Sequence, residues 1–228
     1  METAGFDIET APPKDVISRI YTLFPFDETE VKTGNIKNPD LIAEKIEAAR
    51  KSHIGTIMQE AQLNPLLSYV CAIGIKHEKH GTEMRFAHSQ EEEPDLLAWF
   101  WGEVGKTWTN SYTRWVGFNS NEFDIPYLFK RSWLSGVHPY YPCYRGRWLD
   151  DRLVDIRQQW NFHDRYAKGK LEEVAKALGV SDPDRPVEVE GKDFYKVLAK
   201  DPDRAKSYLQ ADLNETLSIA SIILNPLR

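Results

Sequence analysis

Cysteine is nearly missing from this 228-residue chain, which has only Cys71 and Cys143. Two thiols cannot frame a disulfide scaffold, and neither stands at a metal-holding spacing. Cys71, inside Tyr69-Val70-Cys71-Ala72-Ile73, reads as a small core residue, and a reducing compartment fits. Apolar runs of membrane-spanning length are missing as well, so no membrane contact is expected. No basic-then-apolar leader opens the chain. The first strand is expected within a few residues of Met1, which points to a cytoplasmic protein. Positive charge is also short: 29 Lys and Arg face 35 Asp and Glu, a formal net charge of −6. That argues against a broad basic face for coating nucleic acid. It leaves open a site that grips a few nucleotides through cations held by acids. There is no internal repeat and no low-complexity tail.

What is present is an ordinary globular composition, 41% hydrophobic and 28% charged, with seven Trp. The length suits one large domain, or one domain with an insertion, and is enough to bury a core. Gly5 to Thr10 reads as a buried strand. A long excursion follows to about residue 64, with an apolar stretch at 16–26 and a helix capped by Asn38, whose stripe is Leu41, Ile42, Ile46 and Ala49. This segment reads as a surface helix packed on the core, or as a lid or partner-binding insertion. Residues 66–75 and 82–88 read as antiparallel strands. A helix opened by Glu91 to Asp95 would bury Leu96, Leu97, Phe100 and Val104. Trp99, Trp101 and Trp108 could form a nucleobase platform, but aromatics at helical spacing are usually core.

Further on, 114–119 reads as a strand, and 122–133 as a helix with Phe123, Tyr127, Leu128 and Trp133 inward. Residues 134–149 read as a loop rich in Tyr, Pro and Arg, and 153–156 as a short strand. A basic, aromatic loop at 163–170 precedes a helix at 171–178 stopped by Gly179, and 181–191 is turn-rich and acidic. A last helix spans about 203–224.

The acids carry the functional signal. On a strand, Asp7 and Glu9 share one face, about 7 Å apart, while Phe6 and Ile8 take the other. Two such carboxylates resist desolvation unless a divalent cation sits between them; Mg²⁺ accepts carboxylate oxygens and keeps positions open for water and phosphate. Asp124 falls at a helix start just past a strand's C-terminal end, the edge where open α/β sheets bind ligands. Tyr208 and Asp212, four residues apart, share a face of the last helix. Asp-x-Glu and Tyr-x-x-x-Asp would each occur by chance about once in a chain of this length and composition. The three in this order are more specific.

Phe6-Asp7-Ile8-Glu9-Thr10, Gly117-Phe118-Asn119-Ser120-Asn121-Glu122-Phe123-Asp124 and Tyr208-Leu209-Gln210-Ala211-Asp212 resemble the three motifs of the DEDD exonuclease superfamily, in its tyrosine-containing branch. The likeness is to proofreading domains of family B DNA polymerases and their stand-alone, often phage-encoded relatives. Leu171, Val174, Ala175, Leu178 and Gly179 match that group too. The likeness runs from Gly5 to Leu224 and is thinnest before residue 64 and at 134–149.

The resemblance implies an α/β, RNase H-like fold: a mixed sheet, antiparallel through its first three strands and then parallel, flanked by helices. It implies a single domain over 1–228 with an insertion at about 11–64. It implies 3′–5′ hydrolysis of DNA to nucleoside 5′-monophosphates with two Mg²⁺ or Mn²⁺ ions. Asp7, Glu9, Asp124 and Asp212 would hold the ions, and Tyr208 would orient the attacking water. Asn119, Phe123, Arg165 and Lys168 are the candidate substrate-binding residues; Arg145, Arg147, Arg165, Lys168 and Lys170 read either as phosphate contacts behind the scissile bond or as solvated loop charges. The expected partner is a single-stranded DNA 3′ end, with replication or repair proteins beyond it. The alternatives are an exoribonuclease, or a noncatalytic module of the same fold that binds strand ends or a protein.

Overall fold

The computed structural model describes residues 2–110, 112–145, 148–164, 166–167 and 169–224; of Asn110, Arg145 and Trp148 only the backbone is described. Contacts divide the chain into two units. One joins the first strand up to Thr10 with the chain from Val70 onward, and the other is Ala11–Tyr69.

The larger unit begins with β1 (Glu2–Ala11), which is covered on both faces. The smaller unit holds α1 (Val16–Leu23) and α2 (Pro39–Gln59). The Asn38 side chain caps α2 by accepting from Asp40 N at 2.9 Å, with Pro39 in the first turn, as such a start requires. Val16, Ile20, Ala61 and Leu67 form this unit's core, joined by Phe24, Ile54, Ile57 and Met58. The stripe read for α2 is corrected here. Leu41 is 50% exposed, and Ile42, Ile46 and Ala49 are half-buried. It is the C-terminal half of α2 that reaches the core.

The chain then enters β2 (Tyr69–His77) and β3 (Gly81–Phe86), which pair antiparallel from Ala72↔Phe86 to His77↔Gly81. Next come α3 (Glu93–Asn110) and β4 (Thr113–Gly117), which runs parallel to β1 from Glu2↔Thr113 to Gly5↔Val116. Helix α4 (Asp124–Ser135) ends at Gly136, whose φ of 71° is the left-handed cap. The stretch read as a loop carries a small hairpin, β5 (Tyr144–Arg145) with β6 (Trp148–Leu149). β7 (Leu153–Asp155) lies parallel to β4, and the five-stranded sheet has the order β3-β2-β1-β4-β7. Two short helices follow, α5 (Ile156–Trp160) and α6 (Leu171–Leu178), then α7 (Phe194–Lys200) and the long α8 (Pro202–Ile223). The result is the mixed α/β sheet flanked by helices that the resemblance implied.

Both faces of the sheet are packed. On one, Phe6 lies 5.8 Å from the ring of Phe100 and 6.1 Å from that of Trp115. Trp99 and Trp101 are buried, as core aromatics should be, and Trp101 Nε1 donates to Ser132 Oγ at 2.8 Å. On the other face α8 presses directly onto the strands. A Cβ on Gly74 would stand 2.8 Å from Leu213 Cδ1, and one on Gly5 3.0 Å from Leu217 Cγ. A side chain at either position would push against those leucines, so glycine in β1 and β2 favours the close approach of α8.

Trp133, read as inward, is 58% exposed and donates to the Tyr141 hydroxyl at 3.0 Å, and Phe123 is only half-buried. Glu93, read as one of the acids opening α3, is fully buried; it forks with Arg131 and accepts from Val70 N at 2.8 Å. Among the described residues, no helix is long and apolar enough to cross a membrane.

Candidate active site

Pairing between β1 and β4 stops at Gly5↔Val116, so the second half of β1 runs on past its parallel neighbour. Asp7 and Glu9 lie on this overhang. The backbone N–H of Ile8, between them, donates to Asp124 Oδ1 at 3.2 Å. Asp124 is the first residue of α4, where the helix dipole favours a carboxylate. The acid from the second motif is thus fixed to the strand that carries the first.

From the other side α8 delivers the third motif. One carboxylate oxygen each from Asp7, Glu9 and Asp212 lie within 4.8 Å of one another. Asp124 stands outside that trio of oxygens but acts on it electrostatically. Glu9, Asp124 and Asp212 are buried, and Asp7 is half-buried. Burial, then the charges of Asp212 and Asp124, pushes the Asp7 carboxyl well above the usual range. Burial and the neighbouring charge of Asp7 do the same to Glu9. Asp124 is pushed up to about 7, chiefly by burial and against its backbone hydrogen bonds. Asp212 rises to about 6, burial outweighing the pull of Arg185. A cluster of hard oxygen donors, crowded, buried and resisting ionisation, is what a divalent cation relieves, so the residues fit such an ion.

Tyr208 sits one turn before Asp212 and is buried. Burial, then the charge of Asp212, drives its phenol far above the usual range, so it stays protonated. Gly191, at the end of the turn-rich stretch, faces this corner. A Cβ there would lie 3.6 Å from the Tyr208 hydroxyl and 3.9 Å from Glu9 Oε2. Any side chain at 191 would enter the space those two groups border.

Of the four candidate substrate residues, Asn119 and Phe123 are among the described residues. Asn119 adopts a left-handed φ of 63° after β4, and its Oδ1 accepts from Arg157 Nη1 at 2.7 Å. It lines a cavity of about 270 Å³ with Glu122, Arg157, Gln158, Asn161 and His163 among its walls. Phe123 packs beside Tyr127, ring centroids 5.2 Å apart. Arg165 and Lys168 lie outside the described residues, as do Arg147 and the side chain of Arg145.

Two groups were missed in the sequence. Asp155 ends β7 and accepts from the backbone N–H groups of Asn119, Asn121, Arg157 and Gln158 at 2.9–3.2 Å, tying the second-motif turn to α5. An acid closing a short apolar strand was its only signal. Arg185, in the stretch read merely as turn-rich, bonds Asp212 Oδ1 at 2.6 Å. Nothing in its sequence neighbourhood marks it.

Comparisons with known proteins bear on this arrangement. Residues 61–217 match the model of a family described as predicted 3′–5′ exonucleases related to the exonuclease domain of PolB. No curated protein matches the chain. Among solved structures, the chain is similar in fold to the family B DNA polymerase of the hyperthermophilic archaeon Pyrobaculum calidifontis, at a TM-score of 0.60 and 19% identity. The match covers 98% of this chain and 24% of the polymerase, so the chain spans about a quarter of that enzyme's length.

Proposed function

Because the chain belongs to the family of predicted 3′–5′ exonucleases related to the PolB exonuclease domain, we propose that it removes nucleotides from the 3′ end of DNA with two Mg²⁺ or Mn²⁺ ions. The products would be nucleoside 5′-monophosphates. The observation that carries this reading is the meeting of Asp7, Glu9 and Asp212 oxygens within 4.8 Å, in a buried setting that opposes their ionisation. DNA is preferred over RNA as substrate on the likeness to a DNA polymerase.

In this reading Asp7, Glu9 and Asp212 would hold one cation, and Asp124 with Asp7 would hold the second. Bound there, the cations would supply a water activated for attack and offset charge on the leaving oxygen. Tyr208 keeps its proton at neutral pH, so its hydroxyl orients the attacking water by hydrogen bonding and does not act as the base. Asn119 and Phe123 bind the terminal nucleotide. Residues 1–228 act as a single exonuclease domain into which 11–64 are inserted.

The test is digestion of end-labelled single- and double-stranded DNA and RNA, blocked at either end, in Mg²⁺, Mn²⁺ or EDTA. The proposal expects metal-dependent release of 5′-monophosphates that a 3′ block stops. Asp7→Ala, Asp124→Ala and Asp212→Ala should each abolish it in a folded protein. Degradation in EDTA, or past a 3′ block, would refute the reading; a preference for RNA would move only the substrate.

A further inference from the structure

We propose that Arg185 is a positioning residue for this site: it takes one carboxylate oxygen of Asp212, leaving that acid a single oxygen to turn toward the cluster. The inference rests on the nuclease reading above and names a residue that none of the three motifs contains.

Arg185 is held as a fixed part of the site. Its Nε donates to Glu215 Oε1 at 3.0 Å and its Nη2 to Glu215 Oε2 at 2.6 Å, a two-pronged pairing that sets the guanidinium plane. Glu215 is itself fixed: it is 1% exposed, and its Oε1 also accepts from Asp182 N at 3.0 Å. The same Nη2 reaches Asp212 Oδ1 at 2.6 Å. Asp212 and Glu215 are three residues apart on α8 and so share a face, which lets one guanidinium serve both. On its far side Nη1 lies 3.6 Å from Glu172 Oε1, and the group stands 5.4 Å from the centre of the Tyr208 ring. Arg185 therefore contacts Asp212 and backs Tyr208 at once, while Glu215 prevents it from swinging away.

The consequence is chemical. A free carboxylate can close on a cation with both oxygens, whereas one held by arginine offers one and leaves more of the cation's positions to water and phosphate oxygens. Removing the guanidinium should thus tighten metal binding and slow turnover together. A merely structural arginine would weaken both.

The experiment titrates Mn²⁺ into the full chain without substrate, followed by electron paramagnetic resonance, and measures turnover on single-stranded DNA separately. Arg185→Gln should bind Mn²⁺ about threefold to tenfold tighter, because a nearby positive charge is lost, and turn over roughly tenfold more slowly. Arg185→Lys keeps the charge without the fork, so its affinity should stay within about twofold of the unsubstituted chain while turnover falls part of the way. Since Arg185→Gln leaves the Glu215 charge buried without its counterion, the double variant with Glu215→Gln serves as the second probe; with both charges gone it should show opposed shifts of the same sign but smaller size, through the freed Asp212 oxygen alone. Unchanged or weaker Mn²⁺ binding in both Gln variants would overturn the inference while leaving the nuclease reading intact. An unsubstituted chain that binds no Mn²⁺ and cuts no strand would overturn the nuclease reading, and this inference with it.

Discussion

Asp7→Asn should make the metal-free protein more stable, although most substitutions at buried positions destabilise. Asp7 has carboxylate oxygens of Glu9 and Asp212 within 4.8 Å. At an effective dielectric near 20, two unit charges at that distance repel by about 3 kcal/mol. The cluster relieves part of this by holding protons, so a gain on the order of 2 kcal/mol is expected at pH 8, where ionisation is most complete. For a chain of this size that corresponds to a melting temperature higher by about 4–8 °C in EDTA. Divalent cation should reverse the ranking. At a hundredfold excess over its dissociation constant, Mg²⁺ would stabilise the unsubstituted chain by about 2.7 kcal/mol and the variant far less. Calorimetry of both proteins in EDTA and in Mg²⁺ is the assay. If Asp7→Asn melted lower in EDTA, or gained as much from Mg²⁺, the argument from crowded charge would be refuted.

Asp124 keeps its proton up to about 7 when folded, against an ordinary 3.8, so the folded chain binds more protons between those values and loses stability as pH rises through them. The stability advantage of Asp124→Asn in EDTA should therefore grow by on the order of 4 kcal/mol from pH 4 to 8, read by urea denaturation; an advantage that stays flat would contradict it. Tyr208→Phe should cut turnover roughly tenfold to a hundredfold with Mg²⁺ affinity unchanged, and isothermal titration showing lost affinity with normal turnover would reverse the assignment. Gly74→Ala sets a Cβ 2.8 Å from Leu213 Cδ1 and 3.0 Å from Leu209 Cγ. Overpacking there should cost about 1–3 kcal/mol and weaken metal binding by displacing α8; native affinity in the variant would show that α8 does not need that approach.

What could be read in the sequence was what regular spacing dictates. Asp7 and Glu9 share a face because strands alternate, and Tyr208 and Asp212 share one because helices repeat near four, so their convergence needed only the order of the elements. The strands of the five-stranded sheet announced themselves by their apolar runs, whereas the short β5–β6 hairpin did not, and in α2 the helix was legible but its inward face was not. Helices α5 and α7 were not legible, since five and seven residues hold too little of a period to recognise. Trp133 misled because α4 carries aromatics on more than one side, and its indole is served by Tyr141 at the surface. Arg185 and the buried Glu93–Arg131 pair were invisible for a different reason. Their partners lie 27 and 38 residues away along the chain, and no local pattern encodes a contact made by folding.

The amide of Ile8, held by Asp124 where β4 has already ended, makes the strand tip and the second-motif acid one mechanical piece. A change of charge at 124 should then be felt as fraying between residues 7 and 9, visible as faster hydrogen exchange at that one amide. Recruiting the carboxylate into metal coordination would pull on the same backbone. Loading the site and tightening the end of the sheet would then be a single event.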